Sequence, residues 1–310
     1  MLSVKWSLLA CCSLAQNDAY ICRMFVEFHK ILKPLLEIVN NYSSDSETDQ
    51  QIKAIALRVL TILCINRDAV QLLIEECLYN QFLSSVITNE SNSLITEEAM
   101  DLMVELSRSL IETKGSDLDK RKQIIVNDFI DCLNPILKTI DNEKIFSSIC
   151  SSLANISFYS NESILRNDTL NAIIDIFNKS FDNIFARDQI ITVLANMSKA
   201  YPLEVVRSGG LVLILSSIHL KPEELRESEE MSALERIQQK AVVAIARLTF
   251  NSSVTQVLFR LNVIQRLIQL CKEPKQRNFS QGVLMASIAA LKRLAKVEKT
   301  ETNFNTTLIC

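Results

Sequence analysis

Glycine and proline are nearly missing: the 310 residues hold 4 Gly and 5 Pro. With so few residues that punctuate regular structure, and with Leu, Ile, Ala, Glu and Lys plentiful, the chain favours long helices. Histidine is as scarce. His29 and His219 are the two present, which leaves little imidazole for general-base work or for metal ligation. No Gly-x-Ser-x-Gly, phosphate-binding P-loop, dinucleotide fingerprint or metal-spaced His pair occurs, so the chain reads as a non-enzyme. A formal net charge of -3 and a pI near 5.6 give no global pull toward nucleic acid. No apolar run approaches the roughly 18–20 residues that a membrane-crossing helix needs.

Cysteine is the exception, with nine residues. Most sit inside apolar periodic stretches and no Cys-x-x-Cys occurs, so they read as buried reduced thiols of a cytoplasmic protein. Cys11, Cys12, Cys22 and His29 make a poor zinc set, because adjacent cysteines on a helix point in divergent directions. No metal or cofactor is expected. The start, "MLSVKWSLLACCSLAQ", has the outline of a signal peptide, but the repeat register below reads it as a core helix.

That register begins with "SSLANIS" at Ser151–Ser157, which returns as "TVLANMS" at Thr192–Ser198. Similarity at a fixed distance marks an internal repeat. Taking the Leu of each as an anchor, equivalent positions are Cys11, Leu60, Met103, Leu153, Leu194, Ile245 and Leu291, at intervals of 49, 43, 50, 41, 51 and 46. Helical solenoid repeats have periods of about 40–47 residues, and the longer intervals contain polar insertions at 40–51, 113–123 and 221–232. Between anchors lie stretches such as "TLNAIIDIF" and "VIQRLIQLC", with the i, i+3, i+4, i+7 spacing of a one-faced helix. Nothing reads as a strand. The expected fold is all-α, a right-handed α-solenoid of about six to seven repeats over residues 1–297, followed by a tail at 298–310.

"SLANIS", "VLANMS" and "VRSGGLVLIL" (Val206–Leu215) resemble armadillo repeats, whose third helix ends in a Leu-Ser-Asn-Leu-like motif and whose second begins after Gly-Gly. HEAT repeats, the nearest rival, lack that Asn and that Gly pair. Within Arg236–Val297, "QQKAVVAIARL", the loop "CKEPKQRNFS" and "VLMASIAALKRLA" are similar to the C-terminal armadillo domain of the Inscuteable family. The resemblance implies a protein-interaction adaptor in cell polarity and spindle orientation during asymmetric division. It also implies a cytoplasmic location with recruitment to the cell cortex. The implied partners are the partitioning-defective polarity scaffold and, through a short N-terminal segment, a Partner of Inscuteable-type protein. No such segment is found here, and the chain reads as lacking one or more repeats before Met1.

In a solenoid the third helices line an extended binding surface. Two positions after each anchor stand Ser13, Ile62, Glu105, Asn155, Asn196, Arg247 and Arg293. An Asn there can clamp a partner's backbone amide, and an Arg presents a planar fork to carboxylate or phosphate. The candidate peptide-binding residues are therefore Asn155, Asn196, Arg247 and Arg293, with Lys292 and Lys296 adding charge. The rival reading ties each Asn to its own loop, makes each Arg part of a solvated face, and leaves a generic scaffold. The single Trp, Trp6, argues against a nuclear-import adaptor. The acidic stretch at 223–230 reads as a solvated loop, and Leu308, Ile309 and Cys310 form a weak candidate for strand addition to a PDZ domain.

Overall fold

The computed structural model describes the backbone outside residues 1, 28–29, 43–45, 76–92, 113–115, 182, 223–227 and 308–310. Side chains at 2, 17, 74–75, 93, 111–112, 116–121 and 298–307 are also left aside. Every regular element among the described residues is helical. The chain divides into two compact units, Met1–Thr169 and Leu170–Cys310.

The first unit holds α1 (Leu2–Asn17), α2 (Ala19–Glu27), α3 (Leu32–Asn41), α4 (Glu47–Leu63) and α5 (Arg67–Glu75). It continues with α6 (Ser93–Glu112), α7 (Ser116–Thr139), α8 (Glu143–Tyr159) and the short α9 (Asn161–Ile164). The second holds α10 (Thr169–Ser180), α11 (Ile184–Met197), α12 (Pro202–Arg207) and α13 (Gly210–Ile218), then α14 (Ser228–Leu248), α15 (Ser252–Arg260), α16 (Val263–Lys272) and α17 (Gln281–Thr307). The helices that carry the seven anchors pack side by side in chain order: α1, α4, α6 and α8 in the first unit, α11, α14 and α17 in the second. This is the all-α solenoid of armadillo-like repeats that the periodicity predicts.

The anchors mark the core. Leu60, Met103, Leu153, Leu194 and Ile245 are all fully buried. Short polar residues start the anchor helices by accepting from otherwise unpaired first-turn amides. Ser46 accepts from Asp49 N at the head of α4, Asn142 from Lys144 N and Ile145 N at α8, and Asn183 from Ala186 N at α11. The Ser of Leu-Ala-Asn-x-Ser acts at the other end. Ser157 Oγ donates to Ala154 O and Ser198 Oγ to Leu194 O, competing with the backbone ladder where each helix finishes.

Gly209 and Gly210 serve different purposes. Gly209 is left-handed, with φ 80, a conformation that costs Gly nothing. Gly210 lies against α11, where an added Cβ would stand 2.5 Å from Leu194 Cδ2 and 2.9 Å from Val205 O. In the equivalent turn between α15 and α16 the left-handed residue is Asn262, and before α3 it is Lys30.

Two segments depart from the expected layout. The polar stretch at 113–123 is not simply an inserted loop: from Ser116 it forms the start of the 24-residue α7, because beyond Gly115 it contains no helix breaker and is rich in helix-forming Lys, Arg and Gln. Likewise, α17 runs on to Thr307, so residues 298–307 continue the last helix. The proposed PDZ-binding residues 308–310, together with His29 and residues 223–227 of the acidic stretch, lie outside the described residues; Ser228–Glu230 begin α14.

The loop "CKEPKQRNFS" is fastened to the core by its neighbours. The buried Gln238 donates from Nε2 to both Leu220 O and Gln276 O, each at 3.0 Å. Arg266, also buried, donates to Ile218 O and to the side chains of Gln269 and Gln276. Asn278 closes the loop on Glu235 Oε1 at 2.7 Å. Between α11 and α14, the buried Asp188 accepts from Arg236 Nε at 2.8 Å and Lys240 Nζ at 2.7 Å.

Candidate partner-binding surface

The four residues picked out from the sequence lie on the anchor helices, two positions after the anchors. Asn155 of α8 is half-buried and donates from Nδ2 to Val104 O (3.3 Å) and Ser107 Oγ (3.1 Å), both on α6. Arg247 of α14 donates from Nη1 to Ala195 O of α11 at 2.6 Å. Each side chain thus bonds to the preceding anchor helix, not to the loop after its own. Val104 and Ala195 are both the residue that follows an anchor, so the two contacts are in the same register. Asn196 is half-buried on α11.

Arg293 has a different environment. Its guanidinium carbon stands 3.5 Å from the ring centroid of Phe250, in the turn after α14. Lys199, in the turn after α11, places Nζ 5.7 Å from the same ring. Phe250 is 56% exposed, so the ring is a platform on the surface rather than part of the core. Between the end of α14 and the middle of α17 lies a recess of about 570 Å³, bordered by Phe250, Thr249, Lys292, Arg293, Lys296 and Val297 among others, with no acidic residue among the described residues of its lining. Lys292 and Lys296, expected to supplement the positive charge, both line it.

A second recess, about 410 Å³, lies between α1, α2 and α4 and is bordered by Ala15, Cys22, Ile62, Ile65 and Asn66. Ile62 occupies the position in α4 that Arg293 occupies in α17, so the same register gives an apolar recess here and a basic one there. Glu105, the equivalent residue of α6, is ion-paired with Arg108 on its own helix.

Burial shifts the cysteine thiols and His219 from their ordinary values. It pushes the thiols of Cys64 and Cys150 well up, and raises Cys132 to about 11, with help from Asp128 and Asp131. His219 is lowered, by desolvation first and by Arg266 second. Among the described residues no group of three or more His, Cys, Asp or Glu is placed to hold a metal ion, and no helix is long and apolar enough to cross a membrane.

Phe250 was not legible as a site residue. Its only sequence signal is an aromatic placed just past an anchor motif, in "RLTF", in a chain with 6% aromatics.

Stacked helical repeats with fixed-register side chains along their anchor helices define a repeat protein of the armadillo-like, α-solenoid class. The family model described as Protein inscuteable C-terminal matches residues 2–307, and the chain belongs to that family. It is 32% identical over 253 residues to the Protein inscuteable homolog of Mus musculus, covering 78% of this chain and 42% of that protein. With the Protein inscuteable homolog of Homo sapiens the identity is 29% over 296 residues, covering 92% and 49%. The chain therefore spans less than half the length of these relatives. The crystal structure of an engineered protein from the Northeast Structural Genomics Consortium superposes with a TM-score of 0.64 at 13% identity, over 85% of this chain and 97% of that one; it supports the fold alone.

Proposed function

We propose that this chain is the partner-binding armadillo domain of an adaptor in cell polarity and mitotic spindle orientation during asymmetric division. The family match across residues 2–307 carries this reading. The adaptor works in the cytoplasm and is recruited to the cell cortex. There it connects the partitioning-defective polarity scaffold with spindle-orienting proteins, including a Partner of Inscuteable-type protein where an N-terminal segment for it accompanies the domain. Its mechanism is binding without chemistry.

In this reading an extended partner segment lies along the anchor helices. Asn155 keeps its carbonyl oxygen for a partner amide while its Nδ2 holds α6. Asn196 contacts the backbone in the same way. Arg247 offers the donors that remain beside its bond to Ala195 O, and Arg293 is the principal contact for acidic groups. Calorimetric titration with the partitioning-defective scaffold tests it: binding by the wild type, weakened by Arg293→Ala, supports the reading, and no binding by a folded sample contradicts it.

The bonds of Asn155 and Arg247 to preceding helices favour a second reading, a rigid scaffold with no segment bound along these helices. Under that reading the same substitutions lower stability and leave partner affinity unchanged.

A further inference from the structure

We propose that the recess between the end of α14 and the middle of α17 receives the phosphate of a phosphorylated serine or threonine in the partner segment. This rests on the reading that the surface binds partner segments, and it names the group that one recess selects.

Three observations lead there. Among the described residues the lining includes three cations, Lys292, Arg293 and Lys296, and no carboxylate. A carboxylate carries a single charge; a phosphate monoester, at about -1.5 to -2 near neutral pH, matches Lys292 and Arg293 together and offers three strong acceptor oxygens. Arg293 is held against the ring of Phe250 at 3.5 Å and makes no side-chain hydrogen bond among the described residues. A guanidinium stacked on a ring keeps its N–H groups in its own plane, around the edge, ready for a two-pronged contact with oxygen. The recess is also local. At about 570 Å³, and with Ala246, Ala289 and Val297 in its walls, it suits one side chain and its neighbours. An anionic membrane would be met by a broad basic face, and the chain as a whole carries a net charge of -3. A phosphorylated peptide is therefore the fitting ligand.

The test is fluorescence anisotropy of the full chain with three peptide libraries of random flanking sequence, centred on phosphoserine, serine or glutamate. Vesicles of phosphatidylcholine with phosphatidylinositol bisphosphate form a separate arm. The expected result is phosphoserine binding at least about tenfold tighter than serine or glutamate, as one or two charge-assisted hydrogen bonds would give. Arg293→Ala should weaken it about tenfold, Arg293→Lys should restore only part, and Phe250→Leu should weaken it while the Arg remains. Circular dichroism and thermal melting confirm that each variant is folded. Equal affinity for the three libraries, full binding by Arg293→Ala, or binding to vesicles alone would overturn the proposal. If phosphatase-treated polarity scaffold still binds the wild type, with no phosphopeptide preference, the phosphate site fails while the adaptor reading stands.

Discussion

Arg247 of α14 donates from Nη1 to the carbonyl oxygen of Ala195 in α11, 2.6 Å away. Ala195 lies in the last turn of its helix, where carbonyls have no intrahelical amide to accept from, so one side chain both caps a helix and joins two repeats. Asn155 likewise joins two repeats through Val104 O, although Val104 lies within α6 and not at its end. The register that suggests a peptide-facing row therefore also carries bonds between repeats. Variants at these positions must be read for stability before they are read for binding.

Asn155→Ala removes two hydrogen bonds between α8 and α6 and should cost about 1–2 kcal/mol in urea unfolding. Asn155→Asp should cost more, because a carboxylate cannot donate and would face Val104 O. An Asp variant as stable as wild type would contradict the donor role.

Gly210→Ala should be one of the more damaging small substitutions, at about 1–3 kcal/mol. The new methyl meets a buried Leu194 side chain and the Val205 carbonyl, neither of which can retreat freely. Gly282→Ala provides the contrast. Its Cβ would stand 2.9 Å from Gln239 Oε1, the far end of an exposed flexible side chain, and should change the melting temperature little. Similar losses at both sites would refute the packing explanation for Gly210.

Cys64 and Cys150 are fully buried and held as thiols by that burial, and only the thiolate reacts readily. Site-resolved mass spectrometry after iodoacetamide treatment at pH 7.5 should find both unmodified in the folded protein and fully modified in denaturant. Cys132, raised to about 11, should react more slowly than an unhindered thiol. Rapid labelling of Cys150 without denaturant would contradict the packing of α8.

His219 should give stability a slight pH dependence. Burial and Arg266 lower its folded-state pKa from the ordinary 6.5, so the unfolded chain binds the extra proton first. Stability is then complete above about pH 6.5 and falls as the pH drops from there toward the depressed folded value. Because the ring is exposed the effect is small. Melting curves of wild type and His219→Gln from pH 5.5 to 7.5 should differ in slope in that sense; a variant with a steeper loss on acidification would reverse the sign.

The repeat was legible wherever packing dictates residue identity. Leu153 and Leu194 must fill the core, Ser157 and Ser198 must end a helix, and so "LANIS" and "LANMS" survive as visible copies. It was obscured where several residues satisfy one requirement. The left-handed turn uses Gly209 in one repeat and Asn262 or Lys30 elsewhere, and no glycine search finds the latter two. Asn155 and Arg247 were legible as a row, but their acceptors lie 51 and 52 residues earlier, in a neighbour that only the fold supplies. Phe250 is obscured for the same reason: its significance comes from Arg293 and Lys199, which folding brings to one ring. The polar start of α7 reads as an insertion by composition, although nothing in it interrupts a helix.

The most direct measurement of the central claim is a calorimetric titration of this chain with the partitioning-defective polarity scaffold. It should compare wild type with Lys292→Ala plus Arg293→Ala at low and high salt. Arg293 also packs on Phe250 at the end of α14, so thermal melting of the double variant must match wild type before its affinity is read as a report on binding. Saturable binding by the wild type, weakened by the double substitution and further by salt, is the predicted result. A folded, fully helical wild type that shows no binding, or a double variant that binds as tightly as wild type, would contradict it.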